Sequence, residues 1–172
     1  MIQDAQNTAR ATLAACATFQ TLVGAANATE ALERIYHDAW PLPESMRAEH
    51  TRAELTALRP CAIVYTEDNQ GWVVERDAMG NEDCWNAYGQ IHFVIDRNVP
   101  EADQYLPSKV DTDFREIIGD IASEIIGLSE TAPYLAANRI VVSGPYRTQI
   151  QELKDIGDAQ RAELIVSWGP AR

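Results

Sequence analysis

SKVDTDFREIIGDIASEIIGL, residues 108–128, is the stretch whose reading decides the fold. Val110, Phe114, Ile117, Ile118, Ile121, Ile125 and Leu128 are spaced 4, 3, 1, 3, 4 and 3 apart, the period of a helix with one buried face. Asp111, Asp113, Glu116, Asp120 and Glu124 fall mostly off that stripe and are expected to face water. Pro107 precedes Ser108 as N-cap, Asp111 and Asp113 place negative charge on the first turn where the helix dipole favours it, and Gly127 and Pro133 close the segment. Four of the stripe residues are isoleucine, whose branched side chain makes it a weaker helix former than leucine. Such a helix depends on an apolar partner surface. Apolar, β-branched runs on both sides of it in sequence make that partner a sheet.

Upstream, Cys61–Tyr65 (CAIVY) is a short apolar strand, Trp72–Arg76 a second, and Trp85–Asp96 a third. In the third, Ile91, Phe93 and Ile95 alternate with Tyr88, Gln90, His92 and Val94. Turns at Glu67–Gly71 and Asp77–Asp83 join the three into an antiparallel meander. Downstream, Arg139–Tyr146 is a fourth strand, bent or edge-placed because of Gly144-Pro145. After a charged arm, Arg147–Gln160, a fifth strand runs from Arg161 to Trp168, with Ala162, Leu164, Val166 and Trp168 on one face and Glu163, Ile165 and Ser167 on the other.

At the N-terminus, Ala9, Leu13, Cys16, Phe19, Leu22 and Val23 form the stripe of a first helix reaching about Val23, stopped by Gly24. Asn27 with Glu30 reads as a capping box opening a second helix to about Ala39, with Leu32, Ile35, Tyr36 and Ala39 inward. Trp40-Pro41-Leu42-Pro43 breaks it, and residues 44–58 read as a loop with a helical turn near Arg52–Leu58. The order α, α, β, β, β, long α, β, β predicts an α+β fold: one antiparallel or mixed sheet of about five strands, with the long helix and the N-terminal helices packed on it. One domain spans 1–172, its helical part about 1–58 and its sheet-plus-helix core about 60–170.

The 172 residues carry a net charge of −12, which argues against gripping nucleic acid, a task for Lys and Arg. Cys16, Cys61 and Cys84 form no C-x-x-C and read as reduced, buried thiols. No signal peptide or membrane span is expected. His37, His50 and His92 fall in three separate elements and read as surface or structural histidines. Glu82 and Asp83 would raise the Cys84 thiol, the wrong direction for a nucleophile. Asp77, Glu82 and Asp83 around Gly80 do not have the spacing of a calcium loop. Ser143-Gly144 lacks a nucleophile elbow, and Glu116 with Asp120 reads as a solvated helix face. The expectation is no catalytic residue, no metal and no cofactor. Trp40 and Trp168 read as core. Trp72 and Trp85, at strand ends beside turns, join Asp68, Asn69, Gly80 and Asn81 at the turn tips and Gln151, Lys154 and Asp155 on the arm as candidate partner or subunit contacts.

LAACATFQTLVGA at 13–25, ATEALERIYHDAW at 28–40, the RPCAIVY strand, the FREIIGDIASEIIGL helix and the closing ELIVSWG, taken in this order, resemble the tail terminator and tail-completion proteins of the tailed-bacteriophage neck. The resemblance implies a virion structural protein made in the bacterial cytoplasm. It implies a ring, typically of six copies, that caps the tail tube and meets the head connector or stopper, with DNA passing through without specific binding and no membrane involved. An acidic lumen wall would repel phosphate and let DNA slide. The alternatives are an acidic adaptor or immunity-type protein bound to a basic partner, and a small enzyme or ligand-binding domain built near His92 or Cys84.

Overall fold

A computed structural model describes residues 2–38, 56–66, 73–76, 85–99, 107–131, 133–147 and 159–168, with backbone alone at 2–4, 73–76, 85–88, 107–111 and 146–147. The elements are α1 (Ile2–Ala15), α2 (Ala17–Val23), α3 (Ala28–Leu32), β1 (Ile35–His37), β2 (Cys61–Tyr65), β3 (Val73–Arg76), β4 (Trp85–Asn98), α4 (Pro107–Leu128), β5 (Ala137–Arg147) and β6 (Ala159–Trp168). The sheet runs β1-β2-β4-β6-β5, with β3 paired to β4 off that path. Among the described strands only β1 and β2 are parallel, so the sheet is mixed and the fold is α+β, as the element order predicts.

Register explains the layering. Ala62, Ile95, Phe93, Val64, Leu164, Ala162, Ile91 and Val166 pair across β2, β4 and β6 in rows on one face. All eight are buried and join one core with Phe19, Phe114, Ile118, Ile121 and Ile125 from the helices. From Phe114 on, the long helix thus buries the stripe its period announces, with Ile117 and Leu128 partly covered at its margin; the Val110 side chain lies outside the described residues. Burying each such side chain contributes about 1.5–3 kcal/mol. At the end of this face Arg97 lies with its guanidinium carbon 4.4 Å from the Phe114 ring centre and donates from Nε to Gln160 Oε1 at 2.9 Å. A buried cation is thereby held by an aromatic face and an amide.

Several expectations are corrected. The first helix is two helices, because Cys16 is extended (φ −68, ψ 120) between α1 and α2. Its apolar period runs through the break, which is why the stripe hides it. The second helix ends at Leu32, and Ile35–His37 is a strand beside β2. Ile35 is buried in either geometry, but Ala62 donates to the Arg34 carbonyl at 2.9 Å and Asp38 to the Val64 carbonyl at 3.0 Å, so backbone pairing with β2 decides the matter. Residues 2–38 therefore contribute a strand as well as helices. The three upstream strands are not a meander: β2 pairs residues 92–96 of β4 and β3 pairs residues 85–88, so the long β4 serves both in succession. Helix α4 begins at Pro107, which leaves no acidic residue in its first turn.

Other local readings hold. Gly24 (φ 69) ends α2, with its own N–H on the Thr21 carbonyl and that of Ala25 on the Gln20 carbonyl, the paired bonds of a left-handed helix stop. Asn27 Oδ1 accepts from the Glu30 N–H at 3.0 Å and caps α3. Residues 56–58 form a helical turn within the 44–58 segment.

Candidate functional site

The face of the sheet opposite the one that α4 packs on carries the polar residues of β2, β4 and β6 in register. Tyr65 lies beside His92 and Val94 beside Glu163, while Asp96 lies between Cys61 and Arg161. Glu163 Oε1 accepts from the Tyr65 hydroxyl at 2.8 Å and from His92 Nδ1 at 2.7 Å. The His92 and Tyr65 rings stack with centres 4.7 Å apart. With the carboxylate accepting at Nδ1, that nitrogen carries the proton. Next to this group Arg161 donates from Nε and Nη2 to the two oxygens of Asp96, both at 2.7 Å. Asp96 is buried, and the fork geometry makes this a charge-assisted pair of the strong kind. Arg59 is buried nearby, its guanidinium pushed down by burial and drawn back up by Asp96.

A histidine oriented by a carboxylate is half of a general-base arrangement, and general bases work only where they reach a substrate. His92 is 3% exposed and its Nε2 is buried, so no face of the ring meets solvent. The group fastens β2 to β4 and β6. Burial pushes the Cys16 and Cys61 thiols up to about 12, with Glu124 and Asp96 respectively adding to the shift. Both are therefore poor nucleophiles at neutral pH. Among the described residues no group of three or more His, Cys, Asp or Glu could hold a metal ion, and no helix is long and apolar enough to cross a membrane.

The two ends of the sheet differ. At β1 the even-numbered residues turn their backbone toward β2, so Ile35 and His37 turn theirs outward. The outward carbonyl of Ile35 accepts from Arg10 Nε at 3.1 Å and Nη2 at 2.8 Å. Arg10 Nη2 also donates to the Leu32 carbonyl at 3.2 Å, and Nη1 to His37 Nε2 at 2.9 Å. A single guanidinium from α1 thus closes this edge. The closure extends one turn further, where the buried Gln6 donates to Asp38 Oδ1 at 3.0 Å.

At the other end, strand β5 pairs β6 regularly over Arg139–Ser143, between a register shift at 137/139 and another at 143/146. Gly144 supplies the second with φ 99. Val141 is 40% and Val142 44% exposed, although they point to opposite faces. Val142 lies beside Leu164, which is fully buried, so the cover over the core face, which still reaches Ala137 and Ile140, thins by the middle of β5. No described strand pairs the outer side of β5.

No protein-family model and no curated protein matches the chain. Among the contacts proposed from sequence, Trp72, Asp68, Asn69, Gly80, Asn81, Gln151, Lys154 and Asp155 lie outside the described residues, as do Trp40, His50 and Cys84. Trp85 is placed only by its backbone, opposite Arg76 in β3. Trp168 packs over Gly89, with its indole 3.3 Å from where a Cβ would sit, and lies against the core as expected. The open β5 edge escaped the sequence reading of contacts. The signal was present in IVV at 140–142: three consecutive β-branched residues on a strand already marked as an edge by Gly144-Pro145.

Proposed function

We propose that this chain is a structural protein of the tailed-phage neck, a ring that caps the tail tube, joins it to the head connector and lets DNA pass. It acts by contact, with no reaction of its own. The observation that carries the reading is the inequality of the two sheet edges: Arg10 closes β1, while β5 leaves Val141 and Val142 exposed beside a strand edge that no described strand pairs. A subunit with one adhesive and one closed edge favours contacts between unlike surfaces, the arrangement that generates rings. The resemblance in element order and the net charge of −12 support the same reading, because an acidic passage does not retain phosphate.

Mass in solution at two concentrations, by light scattering behind a sizing column, tests it together with capture of the phage tail tube protein. The expected result is a discrete assembly near six times 19.1 kDa that binds the tube. A chain that stays monomeric and ignores the tube, yet binds a basic protein one to one, would replace the neck reading with the adaptor reading.

A further inference from the structure

We infer that β5 is the seam between copies of this chain, laid head to tail against a surface of the next copy other than its β5, with β1 taking no part. The inference deepens the ring reading and rests on it. Three observations carry it. The first is the edge itself. Residues 139–143 form a regular strand with no described partner on the outer side, and both faces of its middle are apolar and exposed at Val141 and Val142. An exposed strand edge of this kind is a template for another chain.

The second is the closed edge. Strand-to-strand continuation from β5 onto the neighbour's β1 would displace the three bonds that Arg10 makes to the Ile35 and Leu32 carbonyls. The third is charge. The only charged residues of β5 are Arg139 and Arg147, and with those two arginines set aside from the total of −12, the rest of the chain carries −14. A two-fold seam of β5 on β5 would bring four arginines into one short ladder, where like charges oppose pairing. A seam of β5 on another face of the next copy sets them against an acidic molecule. Arg139 is exposed and free to make that contact.

The test uses the full chain with Val142→Glu and, separately, Arg139→Glu. Both positions are exposed, so the thermal midpoint should stay with the wild type while assembly weakens about tenfold or more at equal concentration. Wild-type assembly should also weaken as salt rises from about 50 to about 500 mM, since an exposed charged seam is screened. A third variant, Val142→Cys, is oxidised: a disulfide between identical positions forms only in a two-fold seam, and its formation would overturn the head-to-tail arrangement. A ring untouched by both glutamate variants would overturn the seam and leave the neck reading standing. A wild type that stays monomeric at every concentration overturns the seam as well, and tube capture then decides the neck reading separately.

Discussion

Thr12 shows how one side chain joins two distant parts of this chain. Its hydroxyl donates to the Thr8 carbonyl at 2.8 Å and accepts from the Leu135 N–H at 2.9 Å, in a fully buried setting. Thr12→Val keeps the shape and orphans the Leu135 N–H, which should cost about 1–3 kcal/mol by urea denaturation. Thr12→Ser should restore most of it. A loss no larger for Val than for Ser would show that the hydroxyl matters only for volume. His37 makes a second prediction at this scale. Burial first, and the Arg10 guanidinium second, hold its imidazole below the ordinary range, with Asp38 opposing. A histidine whose folded pKa lies below its unfolded one stabilises the fold above the unfolded value, and that contribution is lost as pH falls through the folded value. The urea midpoint should therefore drop on acidification below about pH 6.5. His37→Gln keeps an acceptor for Arg10 without a titrating group, so it should reduce the drop. An unchanged slope would assign the acid sensitivity to other groups.

Among the elements, helix α2 depends on a partner distant in sequence. Cys16 at its N-cap makes no capping bond with its side chain. Both Glu124 oxygens instead accept from the Thr18 N–H at 3.2 Å, and one also accepts from the Thr18 hydroxyl. A carboxylate there meets the free N–H groups and the positive end of the helix. Glu124→Ala should cost about 1–2 kcal/mol, and Glu124→Gln less, in thermal or urea unfolding. Equal costs for the two would remove the charge from the explanation. The same bond explains why part of the fold was not legible. Glu124 falls off the apolar stripe, where periodicity assigns it to water, and only tertiary packing brings α2 to it. Likewise Ile35-Tyr36-His37 suits a helix or a strand equally well over three residues, and the choice is made by β2. Where a period ran long enough, as in α4, β4 and β6, the buried face was readable residue by residue: Phe114, Ile118, Ile121 and Ile125; Ile91, Phe93 and Ile95; Ala162, Leu164 and Val166. The Glu163–His92–Tyr65 group was not readable. Its members belong to three strands separated by up to 98 residues, and no local spacing announces that they meet.

For the molecule as a whole, charge is the property that most directly distinguishes the proposed ring from an ordinary oligomer. DNA binding by a protein depends on how many phosphates its Lys and Arg neutralise, and it weakens steeply with salt. A ring built from copies carrying −12 each should retain no DNA at physiological salt, whatever its shape. The sharper question is which acids face the passage. Glu116 and Asp120 lie one helical turn apart on the exposed side of α4, away from the core stripe. Both are exposed and stand on a rigid element. If that side of α4 lines the lumen, Glu116→Lys with Asp120→Lys changes the local charge from negative to positive where DNA must pass. The assembled variant should then retain duplex DNA at about 50 mM salt and release it by about 200 mM, while its thermal midpoint stays near the wild type because both positions are solvated. Filter binding on the assembled protein measures both states. A variant ring that still ignores DNA would place α4 on the outside and move the lumen to another acidic surface. Retention by the wild-type ring would remove the electrostatic part of the proposal altogether.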